Sequence, residues 1–310
     1  TLSPPNTPPR AHRTVSRPAA GGGGRPATRL ANRGVHGPPG GGQPPRSGVP
    51  WQAGALDATT LTVETDGRIG RLTLTRPEKL NPLSTACLDE LAAAAAWFDA
   101  RAEVRAVVLS GDGRAFSAGA DLAGFTGPGD RPARAGADTG RVMVEAIEGM
   151  RAVTIAAIHG HCVGGAILLA MACDLRLAAR GTRFAIPEVD LGIPLTWGGI
   201  PRLVREIGPA ATRELVLTCR PFDAAEAHRR GVVNRVVDDG SVRDEAEALA
   251  AALAAKSAFT LRATLDAVDA AAEALVSTGG AWADADQFVT AMHDPESREV
   301  AAAYLRSRGR

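Results

Sequence analysis

The chain has 310 residues, 35 Lys and Arg against 34 Asp and Glu, a formal net charge of +1, and 4% aromatic residues. Its longest apolar run, residues 162–173, is too short to span a bilayer. Its four cysteines (Cys87, Cys162, Cys173, Cys219) form no C-x-x-C pair, which argues against structural zinc or disulfides and for a reduced, cytoplasmic setting.

The near-zero charge conceals an asymmetry. Residues 1–50 hold 11 of the 21 prolines, 10 of the 35 glycines and seven arginines, with no lysine or acidic residue. Such a segment has too little apolar surface to offset its ordering entropy, so residues 1–56 read as a disordered tail. The remainder carries 28 basic and 34 acidic residues, a net of −6. An arginine-rich arm can bind nucleic acid or a membrane surface. The stronger reading is the compositional by-product of a GC-rich coding sequence, an over-extended reading frame or a clipped chain, with no membrane partner and a nucleic-acid partner disfavoured. Residues 57–310 are enough for one large core.

From residue 60 onward strand-like and helix-like segments alternate. Leu61–Thr65 and Ile69–Thr75 flank Asp66-Gly67-Arg68, a hairpin turn signal. Ser84 is placed to cap a helix over 85–101. The β-branched run 104–110 reads as a buried strand ended by Gly111-Asp112-Gly113. Residues 124–138 read as a Gly/Pro/Asp-rich loop and 141–150 as a helix. Val153–Ile158 is a strand, Gly164-Gly165 opens a helix over 166–173, and Leu175–Ala179 is a strand again. Short helices follow near 200–207, 210–217 and 224–230, then a strand over 232–237. The alanine-rich stretch 242–272 carries leucines at helical spacing, and two short helical stretches finish the chain. Alternating strands and helices followed by helices alone predict an α/β fold with a helical C-terminal region over 241–310 and a core over 57–240.

Three segments carry candidate chemistry. Ala115-Phe116-Ser117-Ala118-Gly119-Ala120-Asp121-Leu122 holds a small-residue turn after a strand. His159-Gly160-His161-Cys162-Val163-Gly164-Gly165-Ala166 runs from strand through turn into helix. Small residues let backbone N–H groups approach a ligand, and a helix N-terminus attracts negative charge. Two such donors meeting at one oxygen make an oxyanion hole. The third segment, residues 184–199, sets Glu188 among apolar neighbours, which raises a carboxyl pKa and suits it to take and return a proton. Each segment taken alone reads as structure: tight helix–strand packing, or a loop glutamate in an ion pair. His159 and His161 read as packing residues, Asp174 as a buried, partnered structural acid, and Trp197 as packing its loop. Ser117 lacks a His/Asp partnership for a nucleophile.

In this order, together with Arg76-Pro77-Glu78-Lys79-Leu80-Asn81-Pro82-Leu83-Ser84, the segments resemble the enoyl-CoA hydratase/isomerase (crotonase) family from about Leu61 to Arg308. The resemblance implies a crotonase-like spiral of repeated ββα units. It implies that the Ala120 and Gly165 N–H groups bind a thioester oxygen. Leu80, Ala118, Asp121, Leu122 and Ala123 would border coenzyme A, with Lys79 a phosphate contact. Val142, Met143 and Ile147 would line the acyl pocket. The substrate would be an acyl-CoA thioester, with no further cofactor and no metal. The C-terminal helices would pack in a homotrimer, often doubled to a hexamer.

One departure bears on the chemistry. Family hydratases carry a glutamate three residues after the oxyanion glycine, and here that position is Leu168. Thr196 stands where dienoyl isomerases carry an aspartate. A lone Glu188 resembles the single-base enoyl-CoA isomerases, which shift a 3-enoyl to a 2-enoyl ester. The alternatives are a hydratase or other lyase using Glu188 alone, and a non-catalytic acyl-CoA binder.

Overall fold

A computed structural model describes residues 56–121 and 133–307 of the chain. The tail read over 1–56 therefore lies, except for Leu56, outside the described residues, as do Leu122 and Ala123. Leu56 itself packs against the main apolar core.

The hairpin forms as the Asp-Gly turn predicts. β1 (Leu61–Asp66) pairs antiparallel with β2 (Ile69–Leu74), and Gly67 takes the positive φ of 58° that the turn requires. Ser84 caps α1 (Thr85–Asp99), its Oγ accepting the Cys87 N–H at 3.3 Å. Then follow β3 (Ala106–Gly111), α2 (Ala133–Glu148), β4 (Val153–Ile158), β5 (His161–Val163), α3 (Gly165–Met171), β6 (Leu175–Ala179) and β7 (Arg183–Ala185). The rest comprises α4 (Gly199–Thr218), β8 (Phe222–Asp223), α5 (Ala224–Arg230), β9 (Arg235–Val237), α6 (Val242–Ala254), α7 (Ala258–Leu275), α8 (Asp284–His293) and α9 (Pro295–Ser307).

Six strands form one sheet in the order β1-β2-β3-β4-β6-β9, parallel from β2 onward. Its central strands are buried on both faces, so β3 and β4 show apolar residues without alternation. Ala106, Val108, Ile155 and Ala157 face Ala246 and Ala250 of α6. Val107, Leu109, Ala156 and Ile158 face the larger core shared with α1, α2 and α3. α6, the first helix of the expected C-terminal region, thus covers one face of the sheet. A smaller sheet, β5-β7-β8, stands beside the main one, with Phe184 and Phe222 stacked at 5.3 Å between ring centres.

Four expectations are corrected. The loop read over 124–138 gives way to α2 from Ala133. The helix buries Met143, Val144 and Ile147 along one face, and Arg134–Asp286 and Asp138–Arg141 ion pairs lie along its first turns. The alanine-rich stretch is two helices, bent by 109°. Arg105 takes the Ala254 and Lys256 carbonyls at the end of α6, and Ser257 Oγ accepts the Thr260 N–H to start α7. The strand read over 232–237 is shortened to Arg235–Val237, because Val232 and Val233 turn into the core and Val232 O accepts from the Arg176 guanidinium at 2.7 Å. α1 ends two residues early, at Asp99. The pair of helices read over 200–217 is kept, joined by a kink at Gly208 (φ 75°). Among the described residues no single helix is long and apolar enough to cross a membrane.

Candidate active site

The site is built by three short parallel segments. β5 and β7 pair in register, Val163 opposite Ala185, and Gly164 N–H donates to Ala185 O at 2.8 Å. The chain leaving β5 enters the Gly164-Gly165 turn, and the chain leaving β7 enters Ile186-Pro187-Glu188. Parallel pairing brings those exits side by side. On the other edge of β5, Ser117 bridges Cys162, with Ser117 N–H on His161 O at 3.1 Å and Val163 N–H on Ser117 O at 3.3 Å. The Ala118-Gly119-Ala120 turn therefore abuts the Gly164-Gly165 turn. A Cβ at Gly119 (φ 89°) would run into Val163 O and stand 3.5 Å from Gly165 N, so only glycine permits this approach.

Glu188 reaches the same place. A Cβ at Gly164 would stand 2.7 Å from Glu188 Oε1 and 3.7 Å from Pro187 Cδ. Glu188 Oε2 is sealed from solvent and has no hydrogen-bond partner among the described residues. Burial pushes the carboxyl up from 4.5 to about 7, and a hydrogen bond from its own backbone N–H only partly offsets this. The group is thus poised between acid and base near neutral pH. A buried polar atom without a partner costs about 1–3 kcal/mol and calls for an explanation beyond stability.

The opposing turn is held by residues to which the sequence reading gave no role. Asn81, 2% exposed and in the left-handed region (φ 52°), donates from Nδ2 to Asp112 O, Ala115 O and Phe116 O. Its Oδ1 accepts the Arg76 N–H. Ser117 Oγ donates to Asn81 O at 2.7 Å and accepts the Gly119 N–H at 3.1 Å, so this hydroxyl is structural. Leu83 N–H binds Gly119 O and Asp121 N–H binds Leu83 O. This web uses the amides around Ala120. Among the described residues neither the Ala120 nor the Gly165 N–H has a protein acceptor. Asn81 was legible as part of a motif, but its role depends on carbonyls more than thirty positions away.

Other predicted residues are distributed unevenly. Ala118 N–H binds Leu80 O at 2.9 Å, so those two lie together, with Asp121 nearby on the same turn. Lys79 ends a 3-10 turn and is exposed. Met143 and Ile147 are closed within the main core. Val142 does not join them: one residue before Met143 on α2, it turns outward and is 46% exposed. Leu168 is 2% exposed and packs on Gly199, offering an apolar wall where a second carboxylate would stand. Thr196 is half-buried and its carbonyl accepts the Gly199 N–H. Asp174 is partnered as expected, by the Thr154 amide and hydroxyl at 2.7 and 2.8 Å. His159 Nε2 meets Gly113 O at 3.0 Å.

Comparison with known proteins gives the family and the fold. The enoyl-CoA hydratase/isomerase family profile matches residues 64–309. A probable enoyl-CoA hydratase of Mycobacterium bovis is 36% identical over 252 residues, covering 80% of this chain and 96% of that protein. A probable enoyl-CoA hydratase of Rhizobium meliloti is 39% identical over 232 residues, covering 71% and 83%. The solved structure of an enoyl-CoA hydratase/isomerase from Xanthobacter autotrophicus superposes with a TM-score of 0.72 at 28% identity, covering 81% of this chain and 98% of that one.

Proposed function

The chain belongs to the enoyl-CoA hydratase/isomerase family, and from that membership we propose that it shifts the double bond of a 3-enoyl-CoA to the 2-position with Glu188 as the only base. In this reading the Glu188 carboxylate removes a proton from C2. The C–H electron pair moves into a dienolate whose negative charge rests on the thioester oxygen, held by the Ala120 and Gly165 N–H groups. The protonated Glu188 then returns its proton at C4, which leaves the double bond between C2 and C3. One proton leaves and one is added, so the step balances without water or a redox partner.

The observation that carries this reading is the buried Glu188 Oε2 beside the Gly164-Gly165 turn, which has no hydrogen-bond partner among the described residues. Leu168 supports it, because a hydratase using two carboxylates to hold one water lacks the second here. Leu80, Ala118 and Asp121 are assigned to the coenzyme A side, with Lys79 free to meet a phosphate. A second reading, hydration of a 2-enoyl-CoA with Glu188 alone, is favoured by the names of the relatives, probable enoyl-CoA hydratases.

The test is a panel of 3-enoyl and 2-enoyl CoA esters. Isomerisation of 3-enoyl esters is expected, falling roughly 10²–10⁴-fold in kcat for Glu188→Gln while the fold is retained. Isomerase turnover of Glu188→Gln within tenfold of wild type sinks the single-base mechanism. Hydration of 2-enoyl esters without isomerisation supports the second reading. Tight ester binding without any turnover makes the protein a non-catalytic binder.

A homotrimer, or a hexamer of two trimers, is proposed as the assembly. α7 buries none of its residues within the chain and leaves Phe259 82% and Leu275 84% exposed. Apolar surface of that kind is normally covered by a partner.

A further inference from the structure

Trp197 stands in an unusual place for a packing residue. Its backbone is in the left-handed region (φ 59°), uncommon for a bulky side chain. The turn is held from two sides. Gly198 N–H donates to Asp284 Oδ2 of α8 at 2.8 Å. Arg202, 3% exposed and ion-paired to Glu148 of α2, donates to Trp197 O and Gly198 O at 3.4 and 3.2 Å. The indole so held lies between two glycines, Gly140 on α2 and Gly165 at the start of α3. A Cβ on Gly140 would run into its Cε2 and Nε1, and one on Gly165 would stand 2.7 Å from its Cη2. Glu188 flanks Gly164 and Trp197 flanks Gly165, so carboxyl and indole border consecutive residues of one turn. Yet Trp197 is only half-buried, so part of the ring remains accessible.

We propose that Trp197 is a specificity-determining residue: its indole ends the acyl site beside the oxyanion turn and confines the protein to short acyl chains. The inference rests on the reading that the thioester carbonyl sits at the Ala120 and Gly165 N–H groups. An acyl chain leaving that carbonyl runs past Glu188 and meets the ring within a few carbons. Backbone packed against the indole at Gly140 and Gly165 denies it room to swing aside.

The experiment compares trans-3-hexenoyl-CoA with trans-3-dodecenoyl-CoA in wild type, Trp197→Ala and Trp197→Phe. Trp197→Ala is expected to raise the dodecenoyl-to-hexenoyl ratio of kcat/KM at least about tenfold, chiefly through a lower KM for the long ester. Trp197→Phe, which retains a ring, is expected to keep the ratio near wild type. A folded Trp197→Ala with an unchanged ratio overturns the proposal and leaves the indole a packing residue. If Trp197→Ala does not fold, Trp197→Leu takes its place under the same criterion. The 2-enoyl esters of the same two lengths are run in parallel. Should only hydration occur, the isomerase reading fails while the length ratio still decides the role of Trp197. Should no ester turn over, calorimetric Kd values of hexanoyl-CoA and dodecanoyl-CoA replace kcat/KM: a tenfold shift toward the long ester supports the proposal, and none overturns it.

Discussion

Glu188 illustrates how one side chain acquires a function from its surroundings. A solvated glutamate near pH 4.5 is a weak base; burial brings this one to about 7, where it accepts and returns a proton with little bias. The pH–rate profile of kcat/KM should therefore rise along one limb with a midpoint near 7, because the ionised form is the base. Stability should move the other way. A folded-state pKa above the ordinary value means that the native chain binds the proton more tightly. That contribution is full below pH 4.5 and is lost as pH rises to about 7. The shift converts to a loss of up to about 3 kcal/mol. Urea denaturation of wild type and Glu188→Gln should show the variant gaining over wild type across that window, then levelling; a gap that stays flat would refute burial as the cause of the shift.

At the scale of elements, the site depends on parallel pairing of short strands. β5 and β7 are three residues each, too short to be stable alone, yet their register delivers Gly164 and Glu188 to one place. Asn81 fastens the third partner, and removing its donor leaves three carbonyls short of a hydrogen bond. Asn81→Ala should cost roughly 2–4 kcal/mol of stability by chemical denaturation, including the penalty for alanine in the left-handed region. It should also lower kcat/KM, since the Ala118–Ala120 turn loses its tether. Element identity was largely legible in the sequence. The hairpin, the Ser84 cap, β4, β6 and α5 fall where turn chemistry, capping and hydrophobic runs place them. α2 was not legible over residues 133–138, nor was the break at Ser257. Both involve long-range partners that no local window contains, the core that α2 packs against with Asp286 paired to Arg134, and Arg105 on the end of α6.

For the whole molecule, the exposed apolar residues of α7 carry the remaining prediction. Sedimentation equilibrium should give about 96 kDa, three times 31.9 kDa, or twice that for a hexamer. Phe259→Asp with Leu275→Asp should reduce it to one chain; a wild-type protein that sediments as a monomer at micromolar concentration would refute the assembly. Sequence by itself determined the alternation of strands and helices, because glycine turns, capping and apolar periodicity are local, and its ordered motifs carried the resemblance to the family. The tertiary structure alone decided that Glu188 Oε2 is sealed without a partner among the described residues, that Asn81 ties two distant segments, and that Trp197 lies against Gly165. Burial and mutual approach arise when segments far apart in the chain meet, and residue order does not encode which backbone oxygens or glycines will face them.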